Sequence, residues 1–517
     1  MNTRARSGAD SRPSPAAAAA PDDAEVLRRL GYRSELARKI NGLGSMAISS
    51  TIISPITGVF YSVPLVMGAG GPAVMVWGWL AAAIMVMFVG RSMAEITSKY
   101  PTSAALYYWS SALAKKKKNK KVASWFTGWL NFAGQIGGTA GADYAAATFV
   151  QALIALQRPD YNPTPKGTLL IFGAILLVHA AIATAFGVKA MGRLNKFATA
   201  WLGLGVLVIA GYLALAPHHT SPSFAFGHFV NTTGFRWGWY AAGIGLLLPM
   251  GTFTGYDASP HMSEETTGAS LAAPRGIVQA IRYCTVIGFV LVVAIAFSMT
   301  HYADEAGASN PPLQILLDAG SPTGAKLMLA IIIGAMFFCG LANLTSNSRQ
   351  IFAFSRDGAI PGARHWRTVS ARTKTPTRAV WFAAVCAFAL GVPSLWSTTA
   401  LSAILSVNVV GMYVAYGIPI WLRLRQGRDF EPGPFRLRWP LLNAWIAVGW
   451  VATVTVLFVL PTASPITTTN FNYAPVALAV VLLISAVWWV ISARRTYHPV
   501  IPGGPQAAAD VQEAAAI

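Results

Sequence analysis

Two apolar stretches of the chain are each interrupted by residues that a helix interior does not favour. The first reads Ser54-Pro55-Ile56-Thr57-Gly58 within residues 42–69, the second Thr252-Phe253-Thr254-Gly255-Tyr256-Asp257 within residues 239–259. A broken helix frees backbone groups for binding. At the first break, the N–H groups that open the second half-helix, around Ile56, Thr57 and Gly58, lie at the positive end of its dipole and suit a carboxylate. The carbonyls near Ser54, Phe253 and Thr254 suit an ammonium group. Phe253 and Tyr256 are placed to cover that cation, with an attraction of about 0.5–2 kcal/mol. Asp257 adds a carboxylate at membrane depth, where charge is costly and marks function. Three roles stay open for it: attracting the cationic end of a substrate, carrying a coupling proton, or capping the half-helix that follows Gly255.

The elements that must position these residues are membrane helices. Of 517 residues, 54% are hydrophobic and 11% charged, where a soluble chain carries about 25% charged residues. Windows of about 20 apolar residues place twelve spans, near 42–69, 72–97, 122–151, 168–187, 195–216, 239–259, 275–300, 325–352, 378–396, 399–422, 440–461 and 474–493. With loops assigned alternately, 35 of the 39 Lys and Arg fall on the side that holds both termini; the other side has only Arg158, Lys166, Arg236 and Lys326. The positive-inside rule then makes both termini cytoplasmic, in a multi-pass protein of the cell membrane. The net charge of +20 is thus a matter of topology and not a nucleic-acid footprint. The lysines at 115–118, 120 and 121 read as a solvated loop near anionic lipid.

Residues 1–35 and 498–517 are low in complexity and read as disordered tails, leaving 36–497 as the transmembrane domain. The first stretch lacks the apolar core of a signal peptide. Cys284, Cys339 and Cys386 lie in apolar stretches and read as small core residues, without a disulfide framework.

The spans repeat. The second and seventh begin near 72 and 275, the third and eighth near 122 and 325, the fifth and tenth near 195 and 399, while Gly58 and Gly255 differ by 197. Five spans per half is an odd number, so the second half must run inverted in the membrane. Repeat one covers 42–216, repeat two 239–422, and two extra helices occupy 440–493. Matched breaks in inverted halves are the strongest sequence pointer to a transporter's substrate site.

Four stretches also carry a family resemblance: Gly70-Gly71-Pro72 leading into Val76-Trp77-Gly78-Trp79; Ala94-Glu95-Ile96 with Tyr100-Pro101-Thr102-Ser103 and Leu106-Tyr107-Tyr108-Trp109; Gly255-Tyr256-Asp257 with Glu264-Glu265 and Ala273-Pro274-Arg275-Gly276; and Thr345-Ser346-Asn347-Ser348-Arg349 with Phe354-Ser355-Arg356-Asp357-Gly358. Over residues 35–460 the chain resembles the amino acid–polyamine–organocation superfamily, on the amino acid/choline branch that includes GABA permeases. The resemblance implies an all-α integral membrane protein of leucine-transporter fold, with twelve helices, a five-plus-five inverted repeat and broken helices one and six. Where that family commonly has Gly-Ser-Gly in the first helix, this chain has Ile56-Thr57-Gly58, which narrows the space near Ile56. In sodium-coupled relatives of the fold an ion sits between the first break and hydroxyls of the eighth helix. Thr345 and Ser346 stand at that place here, and either hold an ion or bond the backbone of their own helix. Some proton-coupled members put a fifth-helix lysine there; Lys196 lies too near the start of its span.

Other polar residues read more plainly. Gln135 on the third span is placed to reach the cavity. Asp143 follows Gly134, Gly137, Gly138 and Gly141, a small-residue face suited to tight packing. His179 reads as hydrogen-bonded structure, and Glu95, one turn after Arg91, as a local ion pair. None of the eight histidines pairs with Cys, Asp or Glu at metal spacing on a helix, so neither a metal, a cofactor nor an enzyme is expected. No channel filter is present. The reading is a secondary active transporter that imports a GABA-like amino acid or related small amine by alternating access. The resemblance favours coupling to protons over sodium. An exchanger, or a substrate sensor on the same fold, is the alternative.

Overall fold

The computed structural model describes residues 23–32, 36–396, 400–467 and 470–499. Among them, eleven helices are long and apolar enough to cross a membrane. The remaining expected crossing, sixth in order, is present in pieces: Gly238–Gly245, Leu247–Thr252 and Ala258–His261. Gly255, at φ +81°, turns the chain between the last two, a conformation that suits glycine. The first span is likewise two helices, Gly42–Ile53 and Pro55–Gly68, joined at Ser54 with φ 34° and ψ 80°. Pro55 cannot donate to the preceding turn, so the new helix starts there. Both expected breaks are real.

Several spans outrun their apolar windows. The third, expected at 122–151, runs Lys117–Gln157, and the eighth, expected at 325–352, runs Pro322–Arg356. Hydropathy sees only the stretch in hydrocarbon, while polar residues carry each helix onward; Ser321 opens the eighth by accepting the Gly324 N–H at 3.1 Å.

The third span packs against the eighth and tenth spans and the short helix Ala105–Leu113. Its small residues permit the approach, as expected. A side chain at Gly137 would meet the Asn408 backbone at 2.9 Å, and one at Gly411 on the tenth span would meet the Leu130 carbonyl at 3.0 Å. On the outside, Leu170, Leu177, Leu204, Leu207, Leu215 and Val286 are each more than half exposed. So much bare aliphatic surface fits a lipid surround.

The N-terminal stretch departs from the reading of residues 1–35 as a disordered tail. Asp23–Arg29 is a helix, and Leu27, Leu30 and Tyr32 are buried. The alternation of charged residues with Val26, Leu27 and Leu30 gives this segment an apolar face, hidden by the low-complexity run before it. Residues 1–22, 33–35 and 500–517 lie outside the described residues. At the other end, Tyr497 is buried with its hydroxyl 2.6 Å from Ser124 Oγ, and the His498 N–H donates to the Asp357 carbonyl at 3.2 Å.

Candidate functional site

The two breaks meet. A side chain added at Gly58 would lie 2.1 Å from Thr252 Oγ1, and one added at Gly255 would lie 2.0 Å from Ile52 Cγ2. Each glycine therefore lets its helix pack against the other broken helix. Thr57, Gly58, Gly251 and Thr254 share one small cavity with Cys339, Asn343 and Asn408; its volume is about 30 Å³. Among the described hydrogen bonds the N–H groups of Ile56 and Thr57 have no acceptor, whereas that of Gly58 donates to the Ser54 carbonyl at 3.0 Å. The Ser54 and Thr57 hydroxyls bond each other at 2.7 Å. Thr57 and Gly58 thus reach the cavity, whereas Ser54 and Ile56 do not line it, and the Ser54 carbonyl expected to face an ammonium is taken by Gly58 instead.

The second break holds its polar groups differently. The Phe253 carbonyl, expected to face an ammonium, accepts from the Tyr413 hydroxyl at 2.6 Å. The Phe253 ring packs on Trp79 with centroids 4.8 Å apart, and the Tyr256 ring lies against Tyr416 at 4.9 Å. Neither residue lines the cavity. Their expected role as a cover for the cation is corrected: both belong to the packing behind it. Thr254 does line the cavity, and its hydroxyl lies 3.0 Å from the Gly251 carbonyl and 3.2 Å from Asn408 Oδ1.

Asp257 sits one layer further back. Its Oδ1 accepts from the Tyr416 hydroxyl at 2.7 Å; its Oδ2 accepts from Asn131 at 3.1 Å and Gln135 at 3.2 Å, and lies 3.2 Å from His261 Nε2. No N–H of the following half-helix reaches the carboxylate. The capping role is thereby excluded, because the side chain points across the bundle toward the third and tenth spans. Gln135 reaches Asp257 instead of the cavity, a second correction. The Gly255 N–H donates to Tyr416 at 3.1 Å, so one hydroxyl ties the break to the carboxylate.

Of the expected ion ligands, Thr345 Oγ1 donates to the Leu341 carbonyl at 2.8 Å, the backbone alternative. Neither it nor Ser346 lines the cavity. The eighth span instead contributes Cys339, whose Sγ donates to the Ile52 carbonyl at 3.2 Å, and Asn343. Asn343 and Asn408 were missed; an amide inside an apolar span was the signal. His261 was missed too, although it stands four residues after Asp257 and 3.2 Å from it, so the reading that no histidine pairs with Cys, Asp or Glu at metal spacing on a helix is corrected.

Beyond this layer the Lys- and Arg-rich face is closed by buried ion pairs. Glu265 pairs with Arg349, Glu264 with Arg356 and Glu95 with Arg423, each at 3.0 Å. Glu95 does not pair with Arg91 as expected; its side chain turns inward, where the tenth span supplies a buried guanidinium. The Ser103 N–H and Arg356 converge on Glu264. The N-terminal stretch lies over them: Lys39 and Ile40 donate to the Glu265 carbonyl, each at 2.9 Å. Beside these pairs lies a larger cavity of about 840 Å³, with Tyr32, Arg356, Asp357, Arg364, Arg367 and Arg495 among its lining residues. A group able to offer three metal-ligand atoms, His301, Glu305 and Asp318, lies in the loop region before the eighth span, away from both breaks.

A pair of glycine-fitted helix breaks around one cavity is the geometry of a transporter, and comparison with known proteins says which kind. The profile of the Amino acid permease family matches residues 42–484, a range that contains both breaks and every residue of the cavity. The chain belongs to the amino acid permease family. This permease is 38% identical to the Arabidopsis thaliana protein named amino-acid permease BAT1 over 91% of its own length and 95% of the relative's. It is 39% identical to the BAT1 homolog of Oryza sativa, over 91% and 94%. With the GABA-specific permease of Saccharomyces cerevisiae it shares 29% identity, over 93% and 86%. The superfamily resemblance and the all-helical membrane fold are borne out. The permease is a transporter and not an enzyme.

Proposed function

We propose that this permease imports an amino acid of GABA-like shape across the cell membrane, coupled to protons, by alternating access, with both termini cytoplasmic. The observation that carries the reading is the close approach of Gly58 to Thr252 beside a cavity lined by Thr57, whose N–H, like that of the neighbouring Ile56, has no acceptor among the described hydrogen bonds. A substrate carboxylate fits those donors. The Asn343 and Asn408 side-chain carbonyls and Thr254 suit its amine, with Asp257 supplying negative potential from behind. A cavity of about 30 Å³ admits a water but not an amino acid, so this is a closed form and the broken helices must part for substrate to bind. The buried ion pairs on the Lys- and Arg-rich face are then the inner gate, which the positive-inside rule assigns to the cytoplasm. The likeness to a relative named for GABA supports that substrate class.

Uptake by purified protein in proteoliposomes tests the reading, with a panel of labelled GABA, choline, ethanolamine, polyamines and standard amino acids under imposed proton or sodium gradients. Accumulation of an amino acid on the proton gradient is expected. Sodium-driven uptake would replace the coupling ion, uptake only against internal substrate would make the protein an exchanger, and binding without movement would make it a sensor.

A further inference from the structure

The geometry points to His261 and Asp257 as one proton-binding unit, holding the proton that drives transport. The inference rests on the proton-coupled reading above and adds the atoms that carry it. Both side chains are buried, at 0% and 1% exposure. Both ring nitrogens of His261 face acceptors: Nδ1 is 2.9 Å from the Ser103 carbonyl oxygen, and Nε2 is 3.2 Å from Asp257 Oδ2, close but too far off line for a hydrogen bond as the two side chains stand. A carbonyl has no proton to give, so Nδ1 carries one. The contact between Nε2 and the carboxyl group then needs one more, as imidazolium beside carboxylate or as neutral ring beside carboxylic acid. The remaining partners of Asp257 cannot take its place as proton holders. Asn131 and Gln135 donate amide protons that do not leave, and Tyr416, which accepts from Gly255, points its own proton at Oδ1.

This unit lies between the cavity and the gate. Toward the cavity, Asp257 reaches the Gly255 turn through the Tyr416 hydroxyl. Toward the gate, His261 holds the Ser103 carbonyl while the Ser103 N–H donates to Glu264. Removing that proton leaves the Nε2 lone pair facing a carboxylate at 3.2 Å, and that repulsion acts on both connections at once. The titratable and charged groups facing the unit are Tyr416 and Tyr256 beside it, and Glu264 and Glu265 one turn on, each with its arginine, Arg356 and Arg349. Both acidic residues are paired, which leaves His261–Asp257 as the exchangeable site among these groups.

Linkage requires that a proton which favours substrate binding is itself bound more tightly when substrate is present. In the wild type, GABA or whichever amino acid the panel identifies is expected to bind more tightly as pH falls, with proton uptake on binding. His261→Gln is expected to flatten that pH dependence and to lower proton-driven accumulation at least tenfold. A His261→Gln protein with the wild-type pH profile and undiminished accumulation would overturn the inference while leaving proton coupling intact. A wild type driven by sodium alone would overturn both. Should the variant fail to fold, nitrogen-15 spectra of histidine-labelled wild type, with the carboxyl stretch read by infrared, give the same decision. A proton on Nε2 or on Asp257 supports the unit, and a neutral His261 beside an ionised Asp257 overturns it.

Discussion

Two buried histidine–aspartate pairs lie among the described residues, made of the same groups at nearly the same separation. His261 stands 3.2 Å from Asp257 and His179 stands 3.1 Å from Asp143. Their surroundings differ. His179 Nδ1 makes a direct hydrogen bond with Asp143, its ring lies edge-on against Phe337 at 4.3 Å, and the second oxygen of Asp143 has no partner. That pair joins the third and fourth spans at a place where Gly340 makes room for the carboxylate. The other pair is held by Tyr416, Asn131, Gln135 and Ser103, and connects the Gly255 break to the segment where Ser103 meets the Glu264–Arg356 ion pair. A buried ionisable pair is therefore not a functional site by composition. It becomes one when its partners belong to parts that must move.

The sharpest way to break this contrast is to remove the same carboxylate charge in both places. Asp257→Asn is expected to reduce driven uptake at least tenfold and to remove its pH dependence. Asp143→Leu, which leaves His179 without a partner, is expected to cost about 3–5 kcal/mol of stability while the protein that remains folded keeps its pH profile. Uptake against external pH and thermal denaturation in detergent separate the two outcomes. Equal loss of pH dependence in both variants would erase the distinction.

A second experiment asks whether the breaks act together. Gly58→Ala places a methyl 2.1 Å from Thr252 Oγ1 and is expected to lower uptake several-fold, and Gly58→Leu to abolish it with the protein still in the membrane. Adding Thr252→Ala to Gly58→Ala is expected to restore part of the loss, a coupling that independent sites would not show. The gate gives a third, smaller effect. In a Cys284→Ala, Cys386→Ala background, Glu265→Gln is expected to speed alkylation of Cys339 in the cavity, because it unties Arg349. An unchanged rate would place the gate elsewhere.

The smallest expected effect lies outside the spans. Burial first, and then the nearby Asp318 charge, push the Glu305 carboxyl up to about 7. Between its ordinary value of 4.5 and that value the folded protein keeps a proton that the unfolded chain has released. Stability should therefore fall as pH rises through that interval. Glu305→Gln is expected to flatten the decline in melting temperature, and an unaltered slope would assign it to another group, such as Asp357, which burial also raises to about 7.

Much of this was legible in the chain itself. Hydropathy showed the spans, and Pro55 and Gly255 showed where helices stop, because those residues constrain the backbone locally. Thr57, Gly58 and Thr254 followed as cavity residues. What local pattern could not show was direction. Whether Gln135 turns to the cavity or to Asp257, whether the Phe253 carbonyl meets substrate or Tyr413, and whether Glu95 takes Arg91 or Arg423 depend on helices 122 to 328 residues apart. The helix at Asp23–Arg29 was masked by its neighbours' composition, and the His261–Asp257 approach by the break that separates the two residues from a continuous helix.

The first described residue has a consequence for how the protein is made. The Asp23 carboxylate accepts from the N–H groups of Gly268 and Ala269, at 2.7 and 3.2 Å, across 245 and 246 residues of sequence. A ribosome delivers Asp23 early, and its partners only after six crossings have been synthesised. Until then this end of the chain has only first-half partners such as Tyr108, whose hydroxyl donates to the Leu30 carbonyl at 2.9 Å, and the Asp23 contacts wait for the second half. An incompletely synthesised permease consequently lacks this clasp, which closes only once the start of the seventh span has been made.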